Sequence, residues 1–338
     1  MKIAELAPLI ESVPPRFYGG TERIVSYLTE ELVGMGHEVT LFASGDSQTS
    51  AKLIPMCSKA LRLDEKVCDY QPYDILMQEK FYHCFRDFDL IHSHVDYNWF
   101  PLLRHINIPS VTTLHGRLDL PDLIPVYKEF TDTQLISISN NQRTPFPGNN
   151  WLATIYHGLP ENLYTYKENP EEYLAFLGRT SREKGLEQAI EIAKRVGIKL
   201  KISSKVDKID KIYFETNIKP LFNSDLIEFI GETDDKGKND LLANALGLLF
   251  PINWPEPFGL VMIEALACGT PIVAYRRGSV PEVLEDGVSG FICNDVKEAV
   301  AAVKRLPSLS RKRCRQIFEE RFAVRRMAED YLKVFNKL

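Results

Sequence analysis

The sequence predicts an α/β protein built from two wound, parallel-sheet domains, and three observations predict it. Strand-like apolar runs alternate with helical patterns from the first residue almost to the last, which is the signature of parallel sheets covered by helices. The chain has 338 residues, more than a single hydrophobic core usually organises, so two domains are expected. The alternation also falls into two series, separated by a polar stretch that carries Gly and Pro.

The first series opens with Lys2–Ala7, read as a buried strand. Gly19-Gly20-Thr21 then leads into a helix whose apolar positions Ile24, Val25, Leu28 and Leu32 recur at helical spacing, with Thr21 as its expected N-cap. Gly34 and Gly36 end that helix, and Glu38–Ala43, Asp89–His92, Ser110–Leu114 and Gln134–Ile138 read as further strands. The crossover is Tyr156-His157-Gly158-Leu159-Pro160, followed by Lys167-Glu168-Asn169-Pro170. The second series runs through Tyr173–Leu177, Ile198–Ser203, Ile227–Ile230, Gly247–Phe250, Pro271–Ala274 and Gly290–Cys293, with helices such as Gly185–Val196 between. The domains are accordingly drawn as 1–162 and 163–319. A helix over about 320–338 is expected to return and pack on the first domain.

Composition removes several classes. Hydrophobic residues make up 44% and charged residues 26%, and no run approaches the roughly 18 apolar residues that span a bilayer. Glu5 interrupts the first apolar run at once, unlike a secretory leader, so a soluble, cytoplasmic protein is expected. A net charge of −5 with a pI near 5.9 gives no footprint for nucleic acid. The six cysteines stand far apart and do not form a zinc pattern. Arg311-Lys312-Arg313-Cys314-Arg315 reads as a solvated helix face, with contact to anionic lipid as the weaker reading.

The most specific segment is Pro255-Glu256-Pro257-Phe258-Gly259-Leu260-Val261-Met262-Ile263-Glu264, continuing to Cys268-Gly269-Thr270-Pro271-Ile272-Val273. It sets a glycine at the mouth of a helix, a glutamate on each side of that glycine, and a strand straight afterwards. A helix N-terminus offers unpaired N–H groups and the positive end of the dipole, which suits phosphate. Glu264, inside an otherwise apolar helix, needs a partner such as ribose hydroxyls. Glu256, in the preceding loop, is placed to accept from hydroxyls of a sugar. The second constellation is Gly178-Arg179-Thr180-Ser181-Arg182-Glu183-Lys184-Gly185, a strand end with cations suited to a departing diphosphate. Arg179 and Lys184 are the chosen pair, and Arg182 is expected in a surface ion pair with Glu183 or Glu187. In the first domain Gly19-Gly20 follows the first strand, where backbone either approaches a ligand closely or makes a plain tight turn. His92, His94 and His115 lie at strand ends, His115-Gly116 being the best placed.

These segments resemble glycosyltransferase family 4. The resemblance is carried by Pro-Glu-Pro-Phe-Gly-Leu with its second glutamate five residues after the glycine, by the Gly-Gly loop at 19–20, by Leu114-His115-Gly116, by the basic segment 178–185, by Phe229-Ile230-Gly231 and by Val280-Pro281-Glu282. It covers nearly the whole chain and implies the GT-B fold, two Rossmann-like domains facing each other across a cleft. It further implies that Glu264 binds the donor ribose, Glu256 the donor sugar, and Arg179 and Lys184 the diphosphate. Phe258, Gly259 and Leu260 would supply backbone contacts, His115 would lie beside the transferred sugar, and Gly19-Gly20 would border the acceptor and phosphates. The expected catalytic set is thus His115, Glu256, Arg179 and Lys184. This sequence departs from the family at Arg276-Arg277-Gly278-Ser279, where two glycines usually precede Val-Pro-Glu.

The expected activity is retaining transfer of a hexose from a nucleotide diphosphate-sugar to a small-molecule, glycan or lipid-linked hydroxyl. UDP-sugar is favoured and GDP-mannose is the second choice. The donor is a co-substrate, no metal or other cofactor is expected, and peripheral membrane contact is not indicated. The competing readings are a GT-B epimerase or phosphorylase and a catalytically inactive binding module on the same scaffold. A hydride-transfer dehydrogenase is excluded by the missing G-x-G-x-x-G and its acidic partner.

Overall fold

The computed structural model describes residues 1–16 and 19–338. The chain divides into two compact units, Met1–Gly158 with Val324–Leu338, and Leu159–Ala323.

The first unit is a seven-stranded sheet of order β3-β2-β1-β4-β5-β6-β7. Its strands are β1 (Lys2–Leu6), β2 (Glu38–Ser44), β3 (Lys52–Cys57), β4 (Leu90–Ser93), β5 (Ser110–Thr113), β6 (Leu135–Ser137) and β7 (Trp151–Thr154), all paired parallel. Helices cover both faces of such a sheet, so β1, β2, β4 and β5 are buried runs rather than alternating ones. The edge strands β3 and β7 are half-buried and do not stand out in the sequence. Pro55 inside β3 is tolerated because an edge strand leaves one row of N–H groups unpaired. The helix Gly20–Gly34 takes Gly19, not Thr21, as its N-cap. The strand order reverses between β1 and β4, the position at whose carboxyl side such sheets present ligand groups.

The helix Val324–Phe335 belongs to this unit. It buries Met327, Ala328, Tyr331, Val334 and Phe335, and Arg326 donates to the carbonyls of Tyr156 and His157.

The second unit repeats the plan in a six-stranded parallel sheet of order β10-β9-β8-β11-β12-β13. The strands are β8 (Tyr173–Arg179), β9 (Lys199–Lys205), β10 (Ile227–Gly231), β11 (Gly247–Phe250), β12 (Ile272–Tyr275) and β13 (Gly290–Cys293). Its core packs Leu174, Phe176 and Ile202 of the sheet against Leu186, Ile190 and Ala193 of the helix Leu186–Val196. Here the order reverses between β8 and β11, so the loops after these two strands, 180–185 and 251–259, hold the favoured position.

The basic run at 311–315 departs from its expected solvated face. Arg311 is buried, and its guanidinium donates to the carbonyls of Lys167, Ala243, Ala245 and Cys268 and to the Thr270 hydroxyl. Arg315 donates to the carbonyls of Glu161, Tyr164 and Ala267. The reason is local: the helices Asp235–Asn244 and Leu260–Ala267 end here, and their last carbonyls have no partners within the helix.

Candidate active site

In the second unit, β8 ends at Arg179 and a single turn of 3₁₀ helix carries Lys184. The loop after β11 carries Trp254, Glu256 and Phe258 before the helix Leu260–Ala267. The two loops are tied by the Asn253 amide donating to the Glu183 carbonyl over 2.8 Å. This brings Lys184 Nζ to 2.5 Å from Glu256 Oε2, the same oxygen that accepts from Trp254 Nε1 at 2.9 Å. The ammonium also lies over the indole, 4.9 Å from its ring centre, a cation–π contact that adds to the ion pair. Glu256 is only 8% exposed, so its charge has to be met by such donors.

Glu264 is 5% exposed. Its Oε1 accepts from the Tyr164 hydroxyl at 2.9 Å and lies 3.8 Å from Lys238 Nζ. The buried carboxylate expected in this apolar helix is therefore real, and protein groups hold it. Arg179 pairs with Glu183 at 3.4 Å and Asp207 at 3.7 Å, while Lys184 turns to Glu256. Arg182 does not make the expected surface ion pair. Its guanidinium sits over Tyr213, 5.3 Å from the ring centre.

Gly259 has φ 81°, a left-handed conformation that opens the helix without strain only for glycine. Phe258 is buried and packs edge-on against Phe322, with ring centres 6.2 Å apart, and Leu260 begins the helix. The departure at 276–279 keeps what the backbone requires. Gly278 has φ 52°, and a Cβ there would lie 2.3 Å from both the nitrogen and the oxygen of Glu256. Ser279 next to it donates its amide to the Glu256 carbonyl and its hydroxyl to that of Phe258, at 3.0 and 2.6 Å. This loop thus clamps the Glu256 segment directly.

In the first unit, the space a Cβ would take at Gly19 is filled by the Pro15 ring, at 2.8 Å, and the helix begins at Gly20. His115 follows β5. Its Nε2 is 2.8 Å from His94 Nδ1, and its ring stacks on His157 with centres 5.2 Å apart. His94 Nε2 reaches Glu5 Oε2 at 2.9 Å, and His92 Nδ1 reaches Glu5 Oε1 at 3.1 Å. Burial pushes the Glu5 carboxyl up, but the His92 and His94 rings outweigh it and hold the group at about 2. Burial drives His94 down to about 4 and His157 to about 3, and pushes His115 well below its usual value. Glu5, His92 and His94 are also the group among the described residues whose ligand atoms lie close enough to share a metal ion. Trp99 and Phe100 are wholly buried in the hydrophobic core of this unit.

Residues 18–162 match the profile of glycosyltransferase family 4, and residues 165–321 match that of glycosyl transferases group 1. The chain belongs to glycosyltransferase family 4. Among its relatives, N-acetyl-alpha-D-glucosaminyl L-malate synthase of Bacillus anthracis is 27% identical over 315 residues, covering 81% of this chain and 80% of that one. Sucrose-phosphate synthase from Thermosynechococcus elongatus superposes with a TM-score of 0.83 at 19% identity, covering 100% of this chain and 98% of the other. The Anabaena protein HepE, solved in complex with UDP-glucose, gives a TM-score of 0.77 at 18% identity, covering 100% of both chains. The glycosyltransferase has the GT-B fold, with Rossmann-like sheets in both units.

Sequence reasoning missed several residues of this glycosyltransferase's polar clusters. Trp254 was open to inference, since it stands two positions before Glu256 in the same loop. Tyr164, Lys238 and Glu5 were not, because each is joined to its partner only by the fold. Among the described residues no helix is long and apolar enough to cross a membrane.

Proposed function

We propose that this glycosyltransferase moves a hexose from a nucleotide diphosphate-sugar held in the second unit to a hydroxyl acceptor, with retention of anomeric configuration and without a metal. One observation carries the reading. Two buried glutamates flank a helix N-terminus opened by a left-handed glycine, and each is held by a cation and a neutral donor. Glu264 accepts from ribose hydroxyls. Glu256, whose Lys184 and Trp254 bonds both fall on Oε2, offers Oε1 to hydroxyls of the sugar. The amides at the start of the helix Leu260–Ala267 meet phosphate oxygens.

Lys184 and Arg179 neutralise the charge that grows on the diphosphate as the glycosidic bond breaks. Arg179 exchanges a carboxylate partner, Glu183 or Asp207, for phosphate as it does so. The leaving diphosphate oxygen takes the acceptor's proton on the same face of the sugar, so no carboxylate need attack the ring. Glu256, tied to Lys184 and Trp254, is an acceptor for hydroxyls rather than the nucleophile of a two-carboxylate mechanism. The UDP-glucose bound by HepE supports a UDP-sugar as first choice, with GDP-mannose second.

The test is incubation with UDP-glucose, UDP-N-acetylglucosamine and GDP-mannose in excess chelator, following nucleotide diphosphate release and the product anomer by proton NMR. Release from one donor with retained configuration is expected. An inverted product, a requirement for divalent metal, or a covalent sugar adduct on Glu256 would contradict the reading.

A further inference from the structure

The first unit holds a hydrogen-bonded chain that the donor site does not use. It runs from His115 Nε2 to His94 Nδ1 at 2.8 Å, and from His94 Nε2 to Glu5 Oε2 at 2.9 Å. On the other carboxylate oxygen it continues to His92 Nδ1 at 3.1 Å, from His92 Nε2 to the Thr113 hydroxyl at 2.8 Å, and on to the Tyr331 hydroxyl at 3.1 Å. Glu5, His92 and His94 are almost completely buried. The far end of the chain has an open position, because His115 Nδ1 is buried and accepts or donates no hydrogen bond among the described residues.

Donor and acceptor rules fix the direction of every bond between Glu5 and His115. An ionised carboxylate only accepts, so His94 Nε2 carries a proton. A neutral His94 then keeps a lone pair on Nδ1, and His115 Nε2 has to donate to it. A neutral His115 is left with its second lone pair on Nδ1. A hydroxyl donates to that atom, whereas a phosphate or carboxylate oxygen, which only accepts, is turned away.

We propose that Glu5 and His94 are positioning residues that fix His115 as the Nε2–H tautomer, so that its Nδ1 accepts from a hydroxyl of the substrate. A buried carboxylate sets a catalytic imidazole's tautomer by the same logic in hydrolytic triads. The shifted equilibria agree, since burial keeps the His94 and His115 rings neutral at neutral pH while Glu5 stays ionised. That the hydroxyl belongs to a sugar or its acceptor rests on the transferase reading above.

The experiment is a long-range proton–nitrogen correlation spectrum of the whole chain with its seven histidines labelled, His115 being assigned by its loss in His115→Gln. Wild type is expected to show protonated Nε2 and bare Nδ1 at His115. His94→Phe, which keeps the ring shape and removes both nitrogens, is expected to release that tautomer. It should lower kcat/KM for transfer about 10- to 100-fold, the loss of one aligned hydrogen bond, and leave nucleotide affinity unchanged. An Nδ1–H tautomer in wild type, a stoichiometric metal in the purified protein, or full turnover in a folded His94→Phe variant would overturn the proposal. If His94→Phe does not fold, the wild-type spectrum decides alone. Absence of nucleotide binding would instead count against the transferase reading and leave the tautomer result standing.

Discussion

Glu5, Glu22, His94, Asp96, His115 and His157 of the first unit have displaced protonation equilibria, and they pull in two directions. Burial keeps His94, His115 and His157 neutral, at about 4 for His94 and about 3 for His157 against an ordinary 6.5. Below pH 6.5 the unfolded chain takes up protons that these rings refuse in the fold, so each removes stability as pH falls. Burial raises Glu22 to about 7 and Asp96 to about 6. These two keep protons in the fold that the unfolded chain releases, and so have the opposite sign down to their ordinary 4.5 and 3.8. Glu5, held at about 2, joins the histidines below about pH 4.5. The melting temperature should therefore fall gently between pH 6.5 and 4.5 and steeply below. Circular dichroism melts across that range check this, with hydrogen exchange locating the loss in β1, β4 and β5. A flat profile to pH 4, or loss that begins in the second unit, would contradict it. At this scale the sequence showed Glu256, Glu264, Arg179, Lys184 and His115 as candidates, because their neighbours in the chain carry the pattern. It did not show Glu5, which reads there as an interruption of an apolar strand. Its two imidazole partners lie 87 and 89 positions away.

Among the elements, the helix Leu260–Ala267 is fixed at both ends. Gly259 opens it, the Gly278-Ser279 loop clamps the segment before it, and Arg311 and Arg315 take carbonyls at its carboxyl end. Arg311→Leu would leave a cluster of buried carbonyls without donors. It should cost about 3–5 kcal/mol, the scale measured when one side of a buried charged network is removed. Urea denaturation measures this directly, and a loss under about 1 kcal/mol would show that water replaces the guanidinium. The helix itself was legible from its glycine and apolar run. The arginines that hold it were not, since a basic run in a helix reads the same whether it faces solvent or the ends of other helices. The same holds for β3 and β7, whose half-buried edge positions leave a weak pattern.

Taken whole, the molecule is two parallel sheets with the same kind of strand-order reversal, and the candidate residues of each unit stand at or near its reversal. That plan followed from the alternation of strands and helices, and the family 4 and group 1 matches agree with it. Which nucleotide and hexose the proposed donor site would take depends on loop geometry, which alternation does not encode. We propose that Glu264 and Lys184 hold the nucleotide diphosphate without a metal ion. Calorimetric titration of the full chain with UDP, GDP and ADP in chelator, repeated for Glu264→Ala and Lys184→Ala, tests it most directly. One nucleotide is expected to bind, and each substitution to weaken it at least about 10-fold, the loss of a charge-assisted hydrogen bond. Binding that needs a divalent ion, or that both substitutions leave unchanged, would contradict it.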